Sequence, residues 1–333
     1  IGMSEKQYPL VVDLDGTLIR SDLLIESFLL LIKLSPLNIF RVFFWLLKGK
    51  AYLKSEIARH VDIPVEWLPF NLELIEYLKA QKKAGREIIL ATASHKRYAH
   101  AVAQHLGIFD DVLATDDSRN LSGTAKRAAL TERYGEKQYV YAGNAPVDLK
   151  VWDHCHQAIV VADKGLVKQA EKHCPIEKHF EPKKPGLKVV LKALRVHQWV
   201  KNGLIFVPLL TAHVLTDAKL LVAGMLAFFA FSFCASSVYF LNDLLDLNDD
   251  RRHATKRNRP FAAGTLSLIA GLVGTPILLA MSAAICWFLP WEFALVLGIY
   301  YLMTVAYSFK LKRVVMIDVI TLAALYTIRI VAG

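Results

Sequence analysis

The sequence predicts two architectures in one chain: an α/β domain on a buried parallel sheet, then an all-α membrane domain of several spans. The first rests on "YPLVVDLDGTLIRSD" (8–22), an apolar run of strand length that breaks into Asp-x-Asp-Gly-Thr. A buried strand that delivers two carboxylates at its carboxyl end is where an open α/β sheet places its chemistry. The second rests on a series of apolar runs after position 202, since a spanning helix needs about 20 apolar residues. The charge distribution agrees: charges are frequent up to about position 185 and retreat into loops beyond 202.

At 333 residues the chain has room for two domains, and 54% of it is hydrophobic against 21% charged. The Pro/Lys-rich stretch "FEPKKPGLK" (180–188) reads as a linker. The expected division is 1–180, a linker over 181–193, and a membrane domain over 194–333. The four cysteines, Cys155, Cys174, Cys234 and Cys286, show no paired spacing, which argues against a disulfide framework or a structural zinc site. The cluster "HCH" (154–156) has no second cluster to complete a metal site. The net charge of +10 would suit nucleic acid, but the basic residues flank apolar runs. The expected partner is therefore membrane lipid, not nucleic acid. No cleavable signal peptide is evident, and both ends read as those of a fragment.

Along the first half, four motifs follow in order. Asp13 and Asp15 close the first strand, and Gly16 permits the sharp turn. "EIILATAS" ends a second strand at Thr92. "NLSGTAKRAAL" carries Lys126 on a helix. "YVYAGNAPVD" ends a further strand, with Asn144 and Asp148 after it. This series resembles the haloacid dehalogenase (HAD) superfamily, and the resemblance implies a Rossmann-like α/β fold. It implies Asp13 as the nucleophile that forms an aspartyl-phosphate and Asp15 as general acid/base. Thr92 and Lys126 would complete the catalytic set, and Asp13, Asp15 and Asp148 would hold Mg²⁺. The family has Asp where this chain has Asn144, a neutral and weaker ligand for a hard cation.

Between the first two motifs lies a largely helical insertion, about 23–85, which looks like the family's cap domain. Its stretch "FLLLIKLSPLNIFRVFFWLL" contains Lys33, Pro36 and Arg41. Two amphipathic cap helices fit it better than a spanning helix, and one of them is expected to lean on the membrane.

In the second half the expected spans are 202–215, 220–241, 266–289, 293–307 and a fifth from 314 onward. Basic residues collect over 188–201, 251–259 and 310–313, while "TDAK" and "PWE" are short and nearly neutral. Alternation places the three basic segments on one side, the cytoplasm by the positive-inside rule, and the soluble half with them. The membrane would be of the bacterial inner type. Asn242, Asp246 and Asp250 fall at i, i+4 and i+8, one face of a continuing helix. Oxygen ligands of this kind suit Mg²⁺ bridged to phosphates. Arg251, Lys256, Arg257 and Arg259 follow, ready to grip phosphate oxygens.

"NDLLDLNDDRRHATKRNRP" (242–260) resembles the first Asp-rich motif, NDxxDxxxD with a basic run ending Arg-Pro, of the UbiA superfamily of intramembrane prenyltransferases. "LRVHQWVKN" and "YSFKLKRVVMIDVITLAALYTIRIVAG" bring it closer to the decaprenyl-phosphate phosphoribosyltransferase-like branch. The resemblance implies a helical bundle around a cavity for an isoprenoid tail, with Lys201, Asn202, Lys312 and Asp318 among its substrate contacts. Asp318 and Arg329 lie close to three helical turns apart and share a face. A second Asp-rich motif would lie beyond position 333.

The resulting expectation is a Mg²⁺-dependent transferase acting on a polyprenyl phosphate or diphosphate. Its second substrate is phosphoribosyl pyrophosphate or an aromatic acceptor, and a HAD-type phosphatase is fused to it. Two other readings stand beside it: a soluble half that only binds or regulates, and a membrane half that transports.

Overall fold

The computed structural model describes residues 7–213, 216–309 and 324, and divides into two compact units, Ile1–Lys184 and Pro185–Gly333. The first unit is built on a six-stranded parallel sheet of order β3-β2-β1-β4-β5-β6. Its strands are β1 (Leu10–Val12), β2 (Ile88–His95), β3 (Asp111–Thr115), β4 (Val140–Gly143), β5 (Gln157–Val161) and β6 (Ile176–Phe180). Central strands covered on both faces read as unbroken apolar runs, as "LVV" and "IILA" do. Period-2 alternation sorts them between two cores. Leu10, Val12, Ile88, Leu90, Val140 and Ala142 face one core, while Val11, Ile89, Ala91, Tyr141 and Val160 face the other around Trp152.

Helices α1 (Leu23–Leu34), α2 (Asn38–Leu47), α3 (Lys50–His60) and α4 (Leu72–Lys83) fill the connection from β1 to β2. Asp22 caps α1 by accepting the Ile25 amide, and Asn71 caps α4 by accepting that of Leu74. Helices α5 (Lys96–Leu106), α6 (Thr124–Tyr134), α7 (Leu149–Trp152) and α8 (Lys164–Ala170) complete the unit. The strand order reverses at β1, whose neighbours are β2 and β4. The crevice beyond the carboxyl ends of these three strands is the place such a sheet leaves for a ligand.

The second unit is helical: α9 (Leu187–Leu194), α10 (Val207–Thr211), α11 (Ala218–Leu245), α12 (Leu247–Arg252), α13 (Leu268–Cys286) and α14 (Trp291–Phe309). Helices α11, α13 and α14 are each long and apolar enough to cross a membrane. Asp217 caps α11 and Ser267 caps α13. Small residues let the helices approach, as expected where lipid offers no hydrophobic drive to association. A Cβ on Gly224 would meet Leu209 and Phe206, and one on Gly274 would meet Phe240. Hydroxyls bridge helices as well: Ser237 donates to the Thr275 carbonyl and Ser282 to that of Ala230.

The first expected span, 202–215, is not one α-helix. Val196–Phe206 forms a 3₁₀ helix and Val207–Thr211 a short α-helix that begins next to Pro208. A 3₁₀ turn rises faster than an α turn, so the two together cover about 30 Å with fewer residues. They run antiparallel beside α11. Trp199 donates to Ser236, Asn202 to Ser232, and Phe206 and Leu209 lie against Gly224. The segment from 314 onward lies outside the described residues.

One packing contact makes a direct test. A Cβ on Gly271 would sit 2.8 Å from Phe261 and 2.9 Å from Leu244. Gly271→Val is expected to cost about 1–3 kcal/mol through overpacking. A lowered unfolding temperature in detergent micelles would register it. Gly298→Ala, inside α14 with no described residue within 4 Å, should not lower that temperature.

Candidate active sites

The turn after β1 carries the first candidate site. The Asp13 amide donates to the Ala142 carbonyl, which extends the β1–β4 pairing and fixes the start of the turn. Gly16 then adopts φ +74°, in the left-handed region. A Cβ there would collide with the Asn144 side chain, so only glycine lets the β4 loop close over the turn. Thr17 donates its hydroxyl to Asn144 Oδ1 at 3.1 Å. Asn144 therefore clasps the turn.

Asp13 is held by Lys126, whose Nζ donates to Oδ1 at 2.7 Å and to the Tyr141 hydroxyl at 2.9 Å. Tyr141 in turn donates to Asp148 Oδ1 at 2.9 Å. The other Asp148 oxygen accepts the amides of Asn144 and Ala145, both at 3.0 Å. Asp15 accepts the Leu23 amide at 2.8 Å and the Ser94 hydroxyl at 2.6 Å. Asp13, Asp15, Asp22, Lys54, Ser94, Lys126 and Asp148 together line a cavity of about 150 Å³.

Burial governs the electrostatics. It pushes the Asp13 carboxyl up to about 6, against the pull of Lys126. Burial, with Asp22 and Asp13 adding to it, pushes Asp15 up to about 7, against the hydrogen bonds from Ser94 and Leu23. Burial also lowers Lys54, opposed by Asp15 and Asp22. One carboxyl poised to ionise beside another that holds its proton near neutrality is the pairing that acid–base chemistry requires.

Of the residues expected here, Asp13, Asp15, Lys126 and Asp148 come together on the cavity. Thr92 is fully buried, 3.4 Å from Asp15, and it is Ser94, two residues on, that lines the space. Sequence reasoning missed Ser94, Asp22, Tyr141 and Lys54. Ser94 had a signal, since period 2 puts it on the Thr92 side of the strand. Lys54 had none: it reaches the site from α3, where it donates to Ala93 O at 2.6 Å and Asn120 at 2.8 Å. The "HCH" cluster is dispersed. His156 stacks on Tyr8, and Cys155 Sγ lies 3.4 Å from Cys174 Sγ.

The second candidate site is the end of α11. The helix breaks briefly at Asp246 and resumes as α12, with the Asp250 amide donating to the Asp246 carbonyl at 2.8 Å. Asn242 and Asp246 are half-buried, whereas Asp243 and Asp250 are buried. Arg259 donates to Asp250 at 2.8 and 3.0 Å and to Asp243 at 3.2 Å, and Arg195 also pairs with Asp243. Arg259, expected to grip phosphate, here serves as an internal counter-ion. Arg251 is buried, with Nε donating to Ala262 O at 3.0 Å, so it ties α12 to the following turn. Asn202 is buried against Ser232. Lys201, Lys256 and Arg257 are exposed. Lys312 and Asp318 lie outside the described residues. Among the described residues, no three His, Cys, Asp or Glu side chains gather closely enough to hold a metal ion between them.

An Asp-x-Asp turn at the switch point of a parallel sheet, under a helical insertion, defines a phosphohydrolase-like domain; an Asp-rich end on a membrane-spanning bundle defines a second class. Comparison with known families agrees. Residues 10–152 match the haloacid dehalogenase-like hydrolase model, and residues 204–333 match the UbiA prenyltransferase family. The chain carries one domain of each. It is 36% identical over 331 residues to the uncharacterized protein y4nM of Sinorhizobium fredii, covering 99% of this chain and 64% of that protein. It is 38% identical over 148 residues to decaprenyl-phosphate phosphoribosyltransferase of Mycobacterium tuberculosis, covering 43% of this chain and 49% of that protein. The chain thus spans about half to two thirds of the length of these relatives. Among solved structures, apo phosphoserine phosphatase aligns with a TM-score of 0.38 at 16% identity, over 56% of this chain and 98% of that one.

The Asp13–Lys126 pair supplies a test. Lys126→Met removes both the charge and the hydrogen bond that hold Asp13 down, so the Asp13 pKa should rise further above about 6. Titration of carboxyl-labelled aspartate by ¹³C NMR would read the shift. An unmoved Asp13 would show that Lys126 is not its counter-ion.

Proposed function

We propose that the chain belongs to an integral-membrane enzyme that couples two reactions: a UbiA-type transfer to or from a polyprenyl phosphate, and a HAD-type phosphate-ester hydrolysis. The convergence of Asp13, Asp15, Ser94, Lys126 and Asp148 on one cavity carries the hydrolase half. Ionised Asp13 attacks phosphorus, forming an aspartyl-phosphate as the phosphorus–oxygen bond to the leaving group breaks. Asp15 gives its proton to the departing alkoxide. It then takes a proton from the water that attacks phosphorus and releases Asp13 and inorganic phosphate. Lys126 holds Asp13 in place and offsets charge on the phosphoryl oxygens, while Ser94 orients Asp15.

The donors are hard carboxylate oxygens on one cavity, but as they stand no three of them gather closely enough to hold a divalent cation between them. To hold Mg²⁺, Asp13 and Asp148 would have to draw together, Asp148 giving up its bonds to Tyr141 and the Asn144 and Ala145 amides, while Asp15, also expected as a ligand, carries the proton for the leaving group instead. The cation's contribution would be to screen repulsion between the Asp13 carboxylate and the substrate phosphate.

In the membrane half, Asn242, Asp246 and Asp250 would hold Mg²⁺ for a diphosphate, with Lys256 and Arg257, which follow α12, as phosphate contacts; Lys201 sits farther back alongside α11, between residues that meet Ser236 and Ser232. The relatives named for phosphoribosyl transfer favour phosphoribosyl pyrophosphate as donor over the allylic diphosphate and aromatic acceptor of other members. A polyprenyl phosphate oxygen then bonds to the sugar's anomeric carbon as pyrophosphate departs. The HAD domain would remove the 5-phosphate of that product. Orientation has support from geometry. Lys192 donates to Asn258 O at 2.9 Å and Arg195 pairs with Asp243, so the basic segments 188–201 and 251–259 share one end of α11. Positive charge gathered at one end favours the cytoplasmic side, and with it a cytoplasmic HAD domain.

A second reading, a HAD domain that binds without catalysis, draws on Asn144. Supplying the purified chain with a polyprenylphosphoryl-phosphoribose and Mg²⁺ separates the two. Phosphate release that Asp13→Asn abolishes supports catalysis. Absence of release from wild type, with turnover gained by Asn144→Asp, supports binding alone.

The pH profile gives a further expected outcome. Turnover needs Asp13 ionised and Asp15 protonated. It should fall on the acid side as Asp13 gains a proton and on the alkaline side as Asp15 loses one, since burial raises both carboxyls from their ordinary range. Bound Mg²⁺ draws both limbs to lower pH. Asp15→Asn should remove the alkaline limb along with most of the rate.

A further inference from the structure

We propose that α2 is a membrane-surface anchor that seats the cap of the HAD domain on the bilayer, so that the cavity beneath it works on a phosphate borne by a lipid. The second clause rests on the phosphatase reading above; the first does not. Helix α2 has no buried residue. Val42 and Trp45 lean on the small core that α1 and α3 form around Leu31, Leu53 and Ile57. The opposite side exposes Phe40, Phe43, Phe44 and Leu47 at 59–71%. So contiguous an apolar face on a water-facing domain marks an interaction site.

Three observations select lipid as the occupant. Lys33, Arg41, Lys48 and Lys50 edge the helix, and residues 33–50 contain no Asp or Glu. An aromatic apolar face edged only by cations is complementary to anionic headgroups. At ten residues α2 is about 15 Å long, too short to cross a bilayer of about 30 Å, so it lies in the interface. The same chain carries three helices long and apolar enough to cross a membrane, so a bilayer is within the chain's own reach.

The anchor is wired to the cavity. Its neighbour α1 begins with the Leu23 amide on Asp15, and Leu24 lines the space. Its other neighbour, α3, sends Lys54 to the same cavity. Seating α2 would therefore bring the cavity that α1 and α3 frame to the lipid, without altering the cavity itself.

The full chain, reconstituted in phosphatidylcholine–phosphatidylglycerol vesicles with a diazirine-bearing lipid, tests this. Photolabelling should place lipid adducts on α2 as well as on α11, α13 and α14. The triple change Phe40→Glu, Phe43→Glu, Phe44→Glu alters only exposed positions and should erase the α2 adducts alone. Adducts confined to the spanning helices, or α2 cross-linking to a second copy in their place, overturn the anchor. The triple variant should also release phosphate from a vesicle-borne ester about tenfold more slowly, because its apolar contact is lost. Turnover of p-nitrophenyl phosphate should stay at the wild-type rate. Equal rates on the vesicle-borne ester overturn the coupling to the cavity. If wild type hydrolyses neither ester, the phosphatase reading fails, and the labelling still decides the anchor.

Discussion

A buried carboxylate must find a cation or a proton, and both units are arranged around that requirement. Ionised groups taken out of water lose several kcal/mol of hydration, returned only by close partners. In the first unit Asp13 meets Lys126 while Asp15 keeps its proton toward neutrality. In the second, Arg259 bridges Asp243 and Asp250, and Arg195 completes the charge balance. Each arrangement draws on distant parts of the chain: β1 with α6 in one, the start of the 3₁₀ segment with the end of α11 in the other.

The two solutions differ in what remains for a ligand. Around Asp13 the protein donors leave a cavity with cations on two sides, Lys126 from α6 and Lys54 from α3. On the hydrolase reading proposed above, a phosphoryl group would share their charge. Around Asp250 the arginine consumes the acid, and the half-buried Asn242 and Asp246 stand nearer the surface. A diphosphate bound there would compete with Asp243 and Asp250 for the Arg259 guanidinium. That competition makes the arginine a candidate for rearrangement when substrate arrives.

The sequence made legible whatever depends on one element. The apolar strand ending in Asp13 and Asp15, the glycine of the turn, the helical insertion and the long spans 220–241 and 266–289 all follow from local pattern. Tertiary pairing was not legible. Nothing in "RHATKRNRP" says that Arg259 folds back onto Asp243 and Asp250 while Lys256 and Arg257 stay exposed. Nothing in α3 says that Lys54 turns inward. The span 202–215 was too short by α-helical arithmetic because its 3₁₀ rise could not be read from composition. Thr92 was singled out by motif order, yet Ser94 holds the stronger hydrogen bond to Asp15.

Asn144 is where the two kinds of reading bear on one residue. By ligand chemistry it weakens a cation site, since a neutral amide replaces a carboxylate. By structure it performs a different task, accepting the Thr17 hydroxyl and filling the space that Gly16 leaves empty. A carboxylate in its place would add a fifth acid beside Asp13, Asp15, Asp22 and Asp148, raising their pKa values further unless a cation offset it. Asn144, being neutral, adds nothing to that burden. The cost falls on cation affinity, and it falls at a residue that secures the Asp13–Thr17 turn whether or not a cation is bound.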